Sequence, residues 1–164
     1  MPTPAPAQSA PAALSPKRLY GFLALAEMVT WALLILGMVL KYSGVSQAFV
    51  PVFGMIHGIV FVAYCVVTVF VWIDGRWSLG RGLLGLASAI IPFCTYPFER
   101  SMDRRGLLGA QWRLRAGGEA PSSLPEKLQA WALRNPWLAV VLGVVLVAAV
   151  VTVLLILGPP VPKG

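Results

Sequence analysis

Acidic residues, histidine and cysteine are all scarce in this chain. Six Asp and Glu, one His and two Cys are spread over 164 residues, and each shortage excludes something. Cys65 and Cys94 are isolated thiols inside apolar stretches. They lack the close pairing of a redox motif or the clustering of a zinc site, and they read as packing residues. A single histidine cannot make HExxH, and neither GxSxG nor a Gly-rich phosphate loop after a strand is present. No enzyme is expected, and no metal or cofactor is implied. Charge itself is sparse: 12% of residues are charged and 58% hydrophobic. The mean hydropathy of +0.79 lies outside the range of soluble domains. The expected solvent is a lipid bilayer.

The charges that remain are mostly basic, for a formal net charge of +7. Lys and Arg fall between apolar blocks and not along one exposed face, which favours anionic lipid headgroups over nucleic acid as the partner. Abundant Arg, Ala, Gly, Pro and Val suggest a GC-rich bacterial genome, hence a bacterial plasma membrane.

Along the chain, residues 1–16 are rich in Pro, Ala and Ser and are expected to form a disordered tail. Residues 19–40 form a first span with Glu27 as its one charge, flanked by Lys17, Arg18 and Lys41. That run is longer than the about 7 to 15 apolar residues of a signal peptide and meets the about 20 needed to cross a bilayer. A second span covers 51–73. Pro51 suits its first turn, Asp74-Gly75 its end, and Trp72 and Trp77 the interface. Residues 82–98 form a shorter third span interrupted by Pro92 and Pro97, breaks that need neighbouring helices to take up freed carbonyls. Its small residues Gly82, Gly85 and Ser88 predict close helix packing. Residues 101–136 form a basic loop. Within it "SSLPEKLQAWALRNP" predicts an amphipathic surface helix, capped by Ser123, with Pro125 in its first turn and Leu128, Trp131 and Ala132 on one face. Residues 137–158 give a fourth, uncharged span. The expected fold is an all-α membrane protein, a four-helix transmembrane bundle with a three-helix core over 17–100.

With four crossings, Lys41 and the seven basic residues of 99–135 share one side, against Lys17, Arg18, Arg76, Arg81 and Lys163 on the other. The positive-inside rule then puts the third loop in the cytoplasm and both termini outside. A re-entrant third segment would reverse the last span.

Ionisable groups inside a membrane are costly and usually face the bundle interior. Glu27 shares a helical face with Tyr20, Ala24, Thr30 and Trp31; Gly54, His57, Tyr64 and Thr68 line a face of the second span. Depth counted from Lys41 and Pro51 sets Glu27 and His57 at different levels, at about 1.5 Å per residue. Tyr64 is then the better-matched partner for Glu27. His57 lies nearer Pro92, whose ring leaves the Ser88 carbonyl without its helical donor. The expectation is that His57 donates into this break, framed by the small pair Gly54 and Gly58. Thr95, Tyr96, Glu99 and Arg100 form a polar cluster beside Lys41, read as a helix end with an interfacial ion pair, Glu99 and Arg100 being the interfacial residues.

At "RLYGFLALAE", "LKY", "GMIHGIVFVAY" and "IPFCTYPFER" the chain resembles the YdzA-like family, small bacterial integral membrane proteins known as a domain of unknown function. The likeness covers about residues 18–100. By position the family pattern falls on Glu27, His57, Gly58, Pro92, Phe93, Thr95 and Glu99, and Cys94 departs from the glycine expected there. The resemblance implies a three-helix membrane core and no reaction.

Two functions compete. One is a non-enzymatic accessory or assembly subunit, with a membrane protein as partner. The other is a small homo-oligomeric proton-coupled transporter, in which Glu27 would exchange a proton for a cation. This second reading rests on analogy of site alone.

Overall fold

The computed structural model describes residues 15–157, all-helical with no strand among them. The predicted tail lies outside the described residues except for Ser15 and Pro16, and Lys163 lies outside them too. The chain divides into two units, Met1–Arg113 and Leu114–Gly164.

The first unit contains α1 (Pro16–Tyr42), α2 (Phe49–Asp74), α3 (Leu79–Ile90) and α4 (Thr95–Arg104). α1 starts one turn earlier than its apolar run, because Ser15 caps it: the Ser15 hydroxyl accepts from the Arg18 amide at 3.3 Å, and Pro16 takes the first helical position. α2 carries Pro51 in its first turn and stops at Gly75, where the following Arg76 turns the chain with φ 49. Both helices are long and apolar enough to cross a membrane.

α1 and α2 pack antiparallel, in a register set by Gly37. A Cβ there would lie 3.1 Å from the Phe53 ring and 3.5 Å from the Val50 amide nitrogen, so the missing side chain lets the start of α2 come in beside Gly37. Seven residues back from Gly37 is Thr30 and seven on from Val50 is His57, which brings these two level. The depth counted from Lys41 fails because α2 begins alongside α1 well before α1 ends.

The third segment is not one span. α3 has 12 residues, about 18 Å at 1.5 Å per residue, well short of the about 30 Å hydrocarbon core. The chain then breaks over 91–94, with Phe93 at φ 65, and α4 leaves in a new direction. α3 runs back along α2, with Gly82 under the Trp72 ring, Gly85 against Thr68 and Ser88 bonded to Tyr64. α4 then returns along α1, Thr95 beside Ala24, Glu99 beside Gly21 and Asp103 beside Lys17. The pair is therefore a hairpin that enters and leaves at one end of α1 and α2. Its tip lies against α1 between Ala24 and Trp31, about 12 to 22 Å from the start of that helix at 1.5 Å per residue.

The residues after α4 close that same end. The Trp77 indole donates to the Leu107 carbonyl at 3.1 Å, the Lys17 amide to the Gly109 carbonyl at 3.2 Å, and the Arg113 amide to Asp74 at 2.8 Å. The start of α1 and the beginning of the third loop thus share one end of the unit. The four-crossing expectation set these two on opposite sides.

The second unit contains α5 (Leu124–Arg134) and α6 (Pro136–Leu157). The Ser123 hydroxyl caps α5 by accepting from the Glu126 amide at 3.4 Å, while the Glu126 carboxylate accepts from both the amide and the hydroxyl of Ser122. Leu124, Leu128 and Trp131 are exposed along one side of α5 and Ala132 is half-buried, while Gln129 and Ala130 are buried. α5 and the Pro136–Val145 part of α6 bend by 110° and count as a third crossing if taken as one span. α6 itself runs for 22 residues.

Candidate functional site

Two layers of polar side chains occupy the interior of the first unit. The lower layer, near the closed end, is built on Tyr64. Its hydroxyl shares a 2.8 Å hydrogen bond with that of Tyr20 and a 2.9 Å bond with that of Ser88, so one side chain ties α2 to α1 and to α3. The two phenol rings stack with centroids 5.2 Å apart. Thr68 donates to the Tyr64 carbonyl at 2.8 Å and lies 3.4 Å from the Tyr20 hydroxyl. Tyr20, Tyr64 and Thr68 are fully buried. Interhelical hydrogen bonds in membranes contribute about 0.6 to 2 kcal/mol each, so this layer is a clamp.

The upper layer joins Glu27, Thr30 and His57. Glu27 is fully buried. The Thr30 hydroxyl lies 3.2 Å from Glu27 Oε2, 3.0 Å from the Glu27 carbonyl and 3.1 Å from His57 Nδ1. Glu27 Oε2 and His57 Nδ1 are 3.6 Å apart. The Trp31 ring packs on the imidazole with centroids 4.5 Å apart. The two ionisable groups therefore do meet, contrary to the depth estimate, and Tyr64 is not the partner of Glu27. Glu27 Oε1 is buried without a hydrogen-bond partner among the described residues.

Two bonds dock the hairpin tip on α1. The Thr95 hydroxyl donates to the Ala24 carbonyl at 2.9 Å, and the Trp31 indole donates to the Ala89 carbonyl at 3.2 Å. Ala89 sits in the last turn of α3, where carbonyls lack helical donors. Trp31 is thus the donor into the break ahead of Pro92, a role expected of His57. Gly54 and Gly58 do not frame a close approach: a Cβ at Gly58 meets open space and one at Gly54 only Leu34, at 3.8 Å.

The expected cluster of Thr95, Tyr96, Glu99 and Arg100 is divided. Thr95 is buried on the tip contact and Glu99 is buried against Gly21, its Oε1 3.2 Å from the Cβ position there. Burial pushes the Glu99 carboxyl above the ordinary carboxylate range, partly opposed by the Arg100 charge. Arg100 turns outward, its Nε donating to the Tyr96 hydroxyl at 3.0 Å and its guanidinium 5.1 Å from the Tyr96 ring centre. Lys41 belongs to the other end of α1, so the cluster does not lie beside it. The ion pair at this end joins Lys17 and Asp103 at 2.8 Å. Also unforeseen is the seal at Asp74, where the Arg113 side chain donates to the Asp74 carbonyl at 2.9 Å and the Ile73 carbonyl at 3.2 Å. These partners are 39 or more residues apart, and no local pattern announces them.

The stretch carrying this hairpin and both polar layers is also the stretch shared with known proteins. A family model described as a domain of unknown function, DUF3817, matches residues 17–104. The chain belongs to this family. The matched residues coincide with those that resemble the YdzA-like proteins, and they include Glu27, His57, Pro92, Thr95 and Glu99. A protein of Streptomyces coelicolor, SCO5905, whose name assigns it to the membrane, is 40% identical over 93 residues. The match covers 56% of this chain and 11% of that relative, so the chain spans about a ninth of its length. No solved structure matches. The DUF3817 chain described here is a membrane protein with apolar, all-helical architecture.

Proposed function

We propose that this chain is a non-enzymatic accessory or assembly subunit of a complex in the bacterial plasma membrane. The observation that carries this reading is where its interior polar groups point. Tyr20, Tyr64, Ser88, Thr95 and Trp31 all bond one helix of the first unit to another. Groups engaged in holding helices are not free to recognise a substrate. The exposed Leu124, Leu128 and Trp131 of α5 suit the interface of a bilayer.

The finer topology follows from charge. Lys17, Arg18, Arg76, Arg81, Arg100, Arg104, Arg105 and Arg113 make eight basic residues at the closed end of the first unit, against Lys41 at the other. The positive-inside rule makes the closed end cytoplasmic, where its arginines meet anionic headgroups. α1, α2 and α6 cross, and α3–α4 is re-entrant from the cytoplasmic side, in place of four crossings. Membrane-impermeant labelling of single cysteines at 44 and 106, in a chain lacking Cys65 and Cys94, tests it. Label from outside should reach 44 and not 106.

The functional reading is tested by affinity purification from native membranes in mild detergent, with mass spectrometry of what co-elutes. A stoichiometric membrane protein partner is expected. A homogeneous self-assembly would favour the second reading, a homo-oligomeric proton-coupled transporter using Glu27. One observation supports that alternative: Glu27 Oε1 is buried without a hydrogen-bond partner among the described residues, while Oε2 of the same carboxyl lies 3.6 Å from His57 Nδ1. Ligand-driven proton release that is lost in Glu27→Gln would be its signature.

A further inference from the structure

The geometry points to Glu27, Thr30 and His57 as an intramembrane proton-transfer unit, in which a proton passes between carboxyl and imidazole through the Thr30 hydroxyl. The inference deepens the second reading above, but concerns the site and not transport.

The direct distance from Glu27 Oε2 to His57 Nδ1, 3.6 Å, is too long for a hydrogen bond. Both legs through Thr30, 3.2 Å and 3.1 Å, are within reach. A hydroxyl is at once donor and acceptor, so it can take one proton while releasing another. In the forward step the Glu27 Oε2–H bond breaks as a new bond forms to Thr30 Oγ1. Thr30's own O–H bond breaks as Nδ1–H forms on an imidazole that already carries its proton on Nε2. A neutral carboxyl and neutral ring become carboxylate and imidazolium, with no net change in charge and no other reactant. The alternative orientation of Thr30, donating to the Glu27 carbonyl at 3.0 Å, is the ordinary one for a helical threonine and leaves the relay open.

The surroundings suit such a step. The unpartnered Oε1 gives the carboxyl a second oxygen on which a proton can arrive. Trp31 lies against the ring and holds its plane, and the His57 side chain is 12% exposed at the edge of the bundle. Among groups facing Glu27, α2 also presents the Cys65 thiol. α4 presents Glu99 beside Gly21, nearly two turns nearer the closed end, and α3 presents Ser88 and the Ala89 carbonyl, which do not titrate. No Lys or Arg lies at this depth among the residues described here.

Because His57 is the one histidine of the chain, ring nitrogen NMR of the full chain in lipid nanodiscs, labelled at histidine, reads this site alone. In Glu27→Gln the titration midpoint of the ring should move by a pH unit or more, an about tenfold change in proton affinity. In Thr30→Val the balance of Nδ1 and Nε2 protonation should change, and Thr30→Ser, which keeps the hydroxyl, should restore the wild-type spectrum. Identical titration in wild type and Glu27→Gln would overturn the pairing. A shift in Glu27→Gln combined with a wild-type spectrum in Thr30→Val would overturn the hydroxyl route. Folding is controlled by Thr30→Ser and by helical circular dichroism of each variant. Absence of proton transport with the ring coupling intact would remove the transporter reading and leave this site standing.

Discussion

The hydroxyls of Tyr20 and Tyr64 meet at 2.8 Å inside the bundle, with their rings stacked at 5.2 Å. Tyr64 also bonds Ser88, whereas among the described residues Tyr20 reaches Tyr64 and Thr68, both on α2. Removing the Tyr64 hydroxyl therefore unties two helices from α2. With each interhelical bond contributing about 0.6 to 2 kcal/mol, Tyr64→Phe should cost about 1 to 4 kcal/mol and Tyr20→Phe less, because its second bond, from Thr68, is long at 3.4 Å and returns to the same helix, α2. Unfolding by SDS titration in detergent micelles checks the order, and equal effects would contradict the bridging role of Tyr64.

Glycines that look alike in sequence should behave oppositely. At Gly82 an added Cβ collides with the Trp72 ring, while at Gly58 it meets nothing. Gly82→Ala should lose about 1 to 3 kcal/mol through overpacking. Gly58→Ala should be neutral or gain up to about 1 kcal/mol from helix propensity. Thermal melts of the two variants side by side would reveal the contrast.

The hairpin tip carries Phe93 in the left-handed region at φ 65. A side chain there costs about 1 to 2 kcal/mol relative to glycine. Phe93→Gly is expected to be more stable than Phe93→Ala by about 1 kcal/mol, the reverse of the order at an ordinary helical position. Denaturation midpoints of this pair decide it.

Glu99 makes stability depend on pH. Burial raises its carboxyl above the ordinary range, so the folded chain holds a proton that the unfolded chain has released. Its contribution is greatest in acid, below the ordinary carboxylate value, and is lost as pH rises through the window between that value and the raised one. Wild type should become less stable across this window, and Glu99→Gln should not follow it. Melting temperatures of both from acid to neutral pH give the comparison.

How much of this could be read from residues alone varies with the range of the contacts. The ends of α2 and the start of α5 were legible because their signals are local: Pro51 in a first turn, the Asp74-Gly75 stop and the Ser123 cap all act within one turn of the chain. The stripes holding Glu27, Thr30, His57 and Tyr64 also follow from helical spacing. Which members of those stripes meet does not, because it depends on where Gly37 lets α2 settle. The hairpin course of α3 and α4 was less legible still. Pro92 and Pro97 mark a break, but the bonds that turn it back span 58 residues from Trp31 to Ala89 and 71 from Ala24 to Thr95.

The docking points of the hairpin both belong to α1, which is made before α3 and α4. Ala24 and Trp31 are synthesised before any of α3 or α4 leaves the ribosome, and so is Tyr64 on α2. The surface that receives α3 and α4 is therefore complete on α1 and α2 before either short helix has been made.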